Sequence, residues 1–201
     1  LTAHAVSPRP APLTARAVTN PLLLWSEKRP AHSDGSSSRA VCYDRCMTNM
    51  PQALERLLED FQTADRTERI DMLIEYADRF EEVPASIAAR PFSEANHVQK
   101  CESDAYVWAQ DQPDGTLKYY FAVENPQGIS AKAWSVIMDE TLSGQPLDVV
   151  ASTPCDVVFT VFGREVSMGK GMGLMGITDM ITAYAKQRLR ARGEPVPSED
   201  C

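Results

Sequence analysis

One stretch of alternating side chains constrains the fold of this 201-residue chain more than any other feature. Between residues 117 and 124 every second side chain is large and apolar, which predicts a strand with one buried face. The alternating residues are Leu117, Tyr119, Phe121 and Val123. Residues 106–110 are also rich in aromatic and β-branched side chains, and the turn-forming segment Gln112-Pro113-Asp114-Gly115 joins the two runs. The sequence therefore predicts one antiparallel β-hairpin.

Two amphipathic helices are predicted before the hairpin. The first begins after Pro51 and carries apolar residues at i, i+3, i+4 and i+7. The second opens at Asp65, with Glu68 completing a capping box, and is expected to end at Pro84. The predicted buried faces are Leu54, Leu57, Leu58 and Phe61 in the first helix, and Ile70, Leu73, Ile74, Ala77 and Phe80 in the second.

More helices are predicted after the hairpin. One spans about 130–142, with Ala133, Trp134, Ile137, Met138 and Thr141 inward, and a further turn covers 147–151. The apolar run 157–162 fits either a buried strand or a helix segment. A final helix, with Leu174, Ile177, Ile181 and Tyr184 on one face, is expected to follow the glycines at 169–173, and Gly193 stops it. This order predicts an α+β fold, a small antiparallel sheet with helices packed on one face.

Composition and charge exclude several classes of function. The 43% apolar and 24% charged content is that of a soluble globular chain. The formal net charge of −8 repels phosphate backbones, and no basic stripe offsets it, so we expect no nucleic-acid binding. Apolar runs fall far short of the roughly 18 residues of a membrane span, so we expect no membrane insertion.

The charge changes sharply near residue 46. Residues 1–46 hold six basic and three acidic residues, a charge of +3, whereas the remaining 14 basic and 25 acidic residues give −11. We expect a disordered leader over 1–46, one domain over 47–193 and a disordered tail over 194–201. Because the sequence opens on Leu1, the leader is interpreted as a misplaced start, with Met47 or Met50 the true beginning, or as a transit peptide. The expected location is the cytoplasm, or an organellar stroma or matrix if the leader is a transit peptide.

The five cysteines do not form a recognisable framework. They stand at positions 42, 46, 101, 155 and 201, an odd number without paired zinc-type spacing, which favours a reducing compartment. Only Cys101 and Cys155 lie in the predicted domain, too few thiolates for a three- or four-cysteine metal site. Cys155 precedes an apolar run and is expected to be a small buried side chain.

The glycine cluster near the last helix resembles nucleotide-binding motifs only superficially. Residues 171–176 match G-x-G-x-x-G, but only 25 residues follow Gly176, too few for the second strand of a dinucleotide fold. A P-loop is also absent, because the spacing from Gly163 to Lys170 is wrong. The expected role of these glycines is a flexible turn that lets the final helix pack closely.

Cys101 is the cysteine with chemical context. It lies in a segment, 84–104, that is predicted to be an exposed loop, so its thiol is expected to be accessible. Lys100 favours the reactive thiolate, while Glu102 and Asp104 oppose it. His97 is a candidate base or metal ligand, although a lone loop histidine is usually neither. On the residues alone, an incidental surface cysteine stays an equal alternative.

The segment around Cys101 resembles the SufE family of sulfur acceptors. The resemblance is carried by residues 96–103, Asn-His-Val-Gln-Lys-Cys-Glu-Ser, followed by Val107-Trp108 on a strand, and the predicted order of elements agrees from Pro51 to Arg192. Two extra residues separate the cysteine from the Val-Trp pair. Lys100 stands where many members have glycine, and Lys170 where a partner-facing arginine is usual.

The resemblance implies a fold like that of U-type iron–sulfur scaffold proteins and a function for Cys101. It implies that this cysteine accepts persulfide sulfur from a SufS-type cysteine desulfurase, stimulates that enzyme, and passes the sulfur toward a SufBCD-type iron–sulfur scaffold complex. Pyridoxal phosphate is expected only on the desulfurase, and no cofactor or metal on this chain. His97, Lys100, Ser103 and Lys170 are expected to face the partner or support the thiol. A homodimer is left open.

Two alternative functions follow from the same residues. A U-type iron–sulfur cluster scaffold needs about three soft ligands, for which His97, Cys101 and Cys155 are the candidates. A thiol redox protein would form a sulfenic acid on Cys101 and use Cys155 to resolve it.

Overall fold

Helices and one hairpin form the part of the chain that the structure, a computed structural model, describes, residues 50–163 and 166–197. The predicted leader, 1–46, and the last four residues of the predicted tail lie outside these ranges. The elements are α1 Gln52–Thr63, α2 Arg66–Asp78, β1 Ala105–Asp111, β2 Leu117–Val123, α3 Ile129–Leu142, α4 Leu147–Ala151, α5 Val158–Phe162 and α6 Met168–Arg192. Short 3-10 turns cover Glu94–Asn96 and Cys155–Val157.

The predicted hairpin is confirmed. Strands β1 and β2 pair antiparallel with Val107 opposite Phe121, and the Gly115 amide closes the turn by donating to the Gln112 carbonyl at 3.0 Å. The alternating residues of β2 are buried, and helices α3 and α6 contact β2 and β1 respectively. The α+β fold class, with helices covering a small antiparallel sheet, is therefore also confirmed.

Trp134 lies at the centre of the contact between α3 and α6. Its side chain is fully buried, and its indole Nε1 donates a hydrogen bond to Thr178 Oγ1 at 3.1 Å. The Phe162 ring of α5 contacts the indole edge-on, with ring centroids 5.8 Å apart. The predicted inward face of α3 is buried at every position, which confirms its helical period.

Helix α2 differs from its prediction at its end. The capping box is present, with the Asp65 carboxylate accepting from the Glu68 amide at 3.0 Å. However, the helix ends at Asp78 and not at Pro84, because the chain turns to the edge of β2, where the Val83 amide donates to the Phe121 carbonyl at 2.7 Å.

The predicted buried face of α2 is wrong at two positions. Ile70 and Ile74 are 47% and 45% exposed. The helix is turned so that Arg69 reaches inward, its Nη2 donating to the Phe61 carbonyl of α1 at 2.8 Å. Leu73 and Tyr76 pack against the core. An inward arginine that bonds a helix-end carbonyl is invisible to a hydrophobic period.

The glycine-rich segment is helical and is not a turn, which corrects its predicted role. Helix α6 begins at Met168, because the Ser167 hydroxyl caps it by accepting from the Lys170 amide at 3.3 Å. The predicted apolar face is buried at Leu174, Ile177 and Ile181 and half-buried at Tyr184, and Gly193 ends the helix as expected with φ +68°. The undecided run 157–162 is helical, as α5.

No helix within residues 50–163 and 166–197 combines the length and apolar character that crossing a membrane requires.

Tyr119 carries a buried hydroxyl group that is expected to destabilise the fold. Its side chain is fully buried, its hydroxyl has no hydrogen-bond partner among the described residues, and burial raises the pKa of the phenol well above its usual range. We expect Tyr119→Phe to raise the free energy of unfolding by about 1 kcal/mol, because it removes an unsatisfied buried hydroxyl. Urea unfolding at neutral pH measures this change, and a loss of stability would contradict it.

The pH dependence of stability provides a second readout for the same variant. Because the pKa of Tyr119 is raised in the folded state, the unfolded chain loses its phenol proton first as pH rises through about 10. This ionisation lowers the free energy of unfolding above that pH. The alkaline loss of stability should therefore be shallower in Tyr119→Phe than in the wild type.

Candidate functional site: a buried thiol on a glycine face

Residues 98–104, here called the cysteine loop, lie between the 3-10 turn at Glu94–Asn96 and strand β1. The loop is closed at its base, where the Val98 amide donates to the Ala105 carbonyl at 2.8 Å. Within it, the Cys101 amide donates to the Val98 carbonyl at 3.2 Å, and the Asp104 amide donates to the Cys101 carbonyl at 3.1 Å. These bonds shape a tight turn with Cys101 at its tip.

Both ends of the cysteine loop are fixed to the body of the domain. Before the loop, the Asn96 side-chain amide donates to the Val107 carbonyl at 2.9 Å and to the Tyr184 hydroxyl of α6 at 3.0 Å. The Tyr184 hydroxyl also donates to the Val107 carbonyl, at 3.1 Å. After the loop tip, the Asn125 amide donates to the Ser103 carbonyl at 3.2 Å. The loop therefore has two firm ends.

Cys101 is buried, which corrects the expectation of an accessible thiol. The residue is only 8% exposed. It lies against α6 at Gly173, where an added Cβ would come within 3.0 Å of the Cys101 Cα and 3.3 Å of its Sγ. A side chain at this position would require the loop to shift by a few tenths of an ångström, so the glycine permits this close approach.

Three glycines of α6 together form the surface beneath the loop. They stand at i, i+4 and i+7, which places them on one side of the helix. A Cβ at each would meet Glu102, Cys101 and Val98 in turn, at closest distances of 2.8, 3.0 and 2.8 Å. We call this surface the glycine face; its members are Gly169, Gly173 and Gly176.

His97 lies between two carboxylates and belongs to the base of the loop. Its Nδ1 is 3.4 Å from Glu94 Oε1 and its Nε2 is 3.5 Å from Asp104 Oδ1. Neither ring nitrogen makes a hydrogen bond within the described part of the chain. The ring also contacts Tyr106, with centroids 4.9 Å apart. This arrangement joins the two ends of the loop.

Of the other predicted site residues, Lys100 and Ser103 lie within the cysteine loop and Lys170 lies on α6. Lys100 is exposed beside the thiol, and Lys170 is exposed on the first turn of α6, next to Gly169 of the glycine face. Ser103 is half-buried, and its Cβ would lie 3.1 Å from a Cβ added at Gly128. The four predicted supporting residues thus lie at the base of the loop, within it, or on the first turn of the helix that the loop contacts.

Lys100 has a backbone conformation that favours glycine, with φ +64°. For a residue with a Cβ this conformation costs roughly 1 kcal/mol or more. We therefore expect Lys100→Gly to be more stable than Lys100→Ala by about 1 kcal/mol, since both remove the charge and only glycine relieves the strain. Urea unfolding of the two variants measures the difference, and an alanine variant as stable as the glycine variant would contradict the strain.

Cys155 was expected to be buried, but the structure shows it to be half-exposed. Its surroundings disfavour the thiolate form. Burial raises the pKa of its thiol, and the carboxylates of Asp179 and Asp156 raise it further. The Asp179 carboxylate belongs to α6, six residues beyond Gly173. Cys101 and Cys155 are both free thiols in the structure.

Among residues 50–163 and 166–197, no three histidine, cysteine or acidic side chains converge closely enough to hold a metal ion.

The fold and site define a small α+β domain that carries one cysteine on a turn anchored at both ends against a glycine-bearing helix. The family model described as SufE, Fe-S metabolism associated domain, matches residues 55–185. The chain therefore belongs to the SufE family, as the residues around Cys101 predicted.

A solved structure shares the fold. The solution structure of a hypothetical protein from Thermus thermophilus aligns with a TM-score of 0.56 and 24% identity, over 70% of this chain and 98% of that one. At this identity the likeness concerns the fold alone. The comparison with curated proteins finds no match.

Sequence reasoning missed the parts of the site that lie far from Cys101 in the chain. The Asn96–Tyr184 contact joins residues 88 positions apart, and the glycine face lies about 70 residues beyond the loop. The spacing of Gly169, Gly173 and Gly176 was the available signal, because it places three small residues on one helical face.

Proposed function

We propose that this protein is a sulfur acceptor, which takes persulfide sulfur from a cysteine desulfurase onto Cys101, stimulates that enzyme and passes the sulfur to iron–sulfur cluster assembly. Its SufE domain gives it a role in iron–sulfur metabolism. The observation that carries the finer proposal is Cys101 itself. It is a buried thiol at the tip of a turn that is anchored at both ends.

The proposed transfer is a thiol–disulfide type of exchange. The Cys101 thiolate attacks the outer sulfur of the desulfurase persulfide, and a new S–S bond forms on Cys101. The original S–S bond breaks, and its electron pair leaves with the desulfurase cysteine as a thiolate. One sulfur atom changes carrier with no net oxidation or reduction, so this chain needs no cofactor of its own for the step. Pyridoxal phosphate belongs to the desulfurase.

Burial of Cys101 suits a carrier better than a general reductant. A persulfide held at an exposed position would be open to attack by small thiols, whereas a sulfur beneath the loop is shielded from them. The same burial requires the loop to yield when a partner presents its own persulfide. Fixed loop ends and a short tip allow such a local movement without unfolding of the domain.

The arrangement supports the two alternative functions less well. A redox protein that uses Cys155 as the resolving thiol would need that thiol to be reactive, whereas burial and the carboxylates of Asp179 and Asp156 raise its pKa. A cluster scaffold would need the same two cysteines and His97 to converge, whereas His97 lies between Glu94 and Asp104 at the base of the loop.

A reconstituted desulfurase assay tests the proposal. Purified protein is titrated into a SufS-type desulfurase with cysteine and a reductant, and alanine formation is followed. We expect the rate to rise and then saturate with added protein, as it should if a specific complex drains the enzyme's persulfide. An unchanged rate across the titration, with the domain shown to be folded, would contradict the proposed function.

A further inference from the structure

We infer that Gly173 is a positioning residue, which keeps the Cys101 thiol buried by offering a helix surface without a Cβ. The inference concerns access to the thiol, and its use in sulfur transfer rests on the proposed function. Replacing the glycine with alanine should displace the loop tip by at least a few tenths of an ångström and so increase access to the Cys101 thiol.

The tip of the cysteine loop is held against α6 by packing. Among the described residues, the backbone hydrogen bonds of Cys101 run to Val98 and Asp104, within the loop itself. The Gln99 side chain bonds Glu94, just before the loop, at 3.3 Å. No hydrogen bond of the described residues joins positions 99–102 to α6. The tip can therefore leave the helix without breaking a bond to it.

The contact between the loop tip and Gly173 is very close. A Cβ on residue 173 would lie 3.0 Å from the Cys101 Cα, which is tighter than ordinary van der Waals contact, and it would press on backbone and not on the end of a flexible side chain. The loop cannot absorb this by a rotamer change. Because Asn96 and Ser103 fix its two ends, the tip is the part free to move.

The same helix offers a matched control. Gly171 is also buried in α6, and a Cβ there would meet the Phe159 ring at 3.1 Å and the Val166 side chain at 3.2 Å. Glycine-to-alanine changes at 171 and 173 raise helix propensity equally and create a contact of similar closeness. Of the two changes, the one at 173 presses on the cysteine loop, so a difference between the variants isolates the effect on Cys101.

The test is the rate at which iodoacetamide alkylates Cys101 in the full chain, read from the Cys101 peptide by mass spectrometry. We expect wild type and Gly171→Ala to react slowly and alike, and Gly173→Ala to react several-fold faster. Gly173→Leu should react faster still, because its side chain extends toward the helix N-terminus and so toward Glu102. The alkylation rate of Cys155 serves as an internal reference that should not change.

Equal Cys101 rates in wild type and Gly173→Ala would overturn the inference, as would an equal acceleration in Gly171→Ala. Circular dichroism checks that each variant is folded. If Gly173→Leu does not fold, the comparison of Cys101 alkylation rates in Gly171→Ala and Gly173→Ala tests the inference. Because alkylation involves no desulfurase, failure here leaves the proposed sulfur transfer standing. Conversely, a protein that does not stimulate the desulfurase can still show a Gly173-dependent alkylation rate.

Discussion

Replacement of Cys101 with serine is expected to abolish stimulation of the desulfurase, lowering the protein-dependent rate at least roughly 100-fold, because a hydroxyl neither attacks a persulfide nor carries its sulfur. The measurement is alanine formation in the reconstituted reaction. The substitution is nearly isosteric and should leave the fold intact, which urea unfolding checks. The loss of stimulation would then be caused by the missing sulfur atom and not by a change in the loop structure.

Cys155→Ser is the control for this experiment. Cys155 lies in the 3-10 turn Cys155–Val157, and burial and the carboxylates of Asp179 and Asp156 raise the pKa of its thiol. We expect this variant to stimulate the desulfurase as well as the wild type does. If Cys101→Ser retained full stimulation, or if both variants lost it equally, Cys101 would not be the acceptor.

Trp134→Ala is expected to have the largest effect on stability, lowering the free energy of unfolding by about 3–5 kcal/mol. The change removes a fully buried indole between α3 and α6 and deprives Thr178 of its 3.1 Å hydrogen bond. Since domains of this size are stable by about 5–15 kcal/mol, the variant should lose a large share of that margin. Urea unfolding followed by circular dichroism measures it.

Ile74→Ala is the matched surface change. Ile74 is 45% exposed on α2, although its sequence spacing predicted burial. We expect its loss to cost less than about 0.5 kcal/mol, as is usual for surface positions. A cost at Ile74 comparable to that at Trp134 would show that α2 packs through its predicted face and that its orientation in the structure is wrong.

Local patterns predicted most of the secondary structure. The capping box at Asp65, the turn at Gly115 and the inward face around Trp134 are each encoded within a few residues, and each is present. The motif around Cys101 likewise indicated the SufE family, which the family model confirms.

The sequence predictions were wrong where burial depends on contacts between residues far apart in the chain. The face of α2 that is buried depends on Arg69 reaching the end of α1, and no apolar period records this. The cysteine loop packs against glycines about 70 residues further along the chain, and it can approach them closely because they have no Cβ. A polar loop sequence predicts exposure unless the surface beneath it is known, so the exposure predicted for the thiol was wrong.

The most direct test of the account is the intact mass of the full chain after incubation with a desulfurase and cysteine. We predict a gain of about one sulfur atom, which is removed by reduction, is absent in Cys101→Ser and is kept in Cys155→Ser. No gain in the wild type, or a gain that persists in Cys101→Ser, would contradict the assignment of Cys101 as the sulfur carrier.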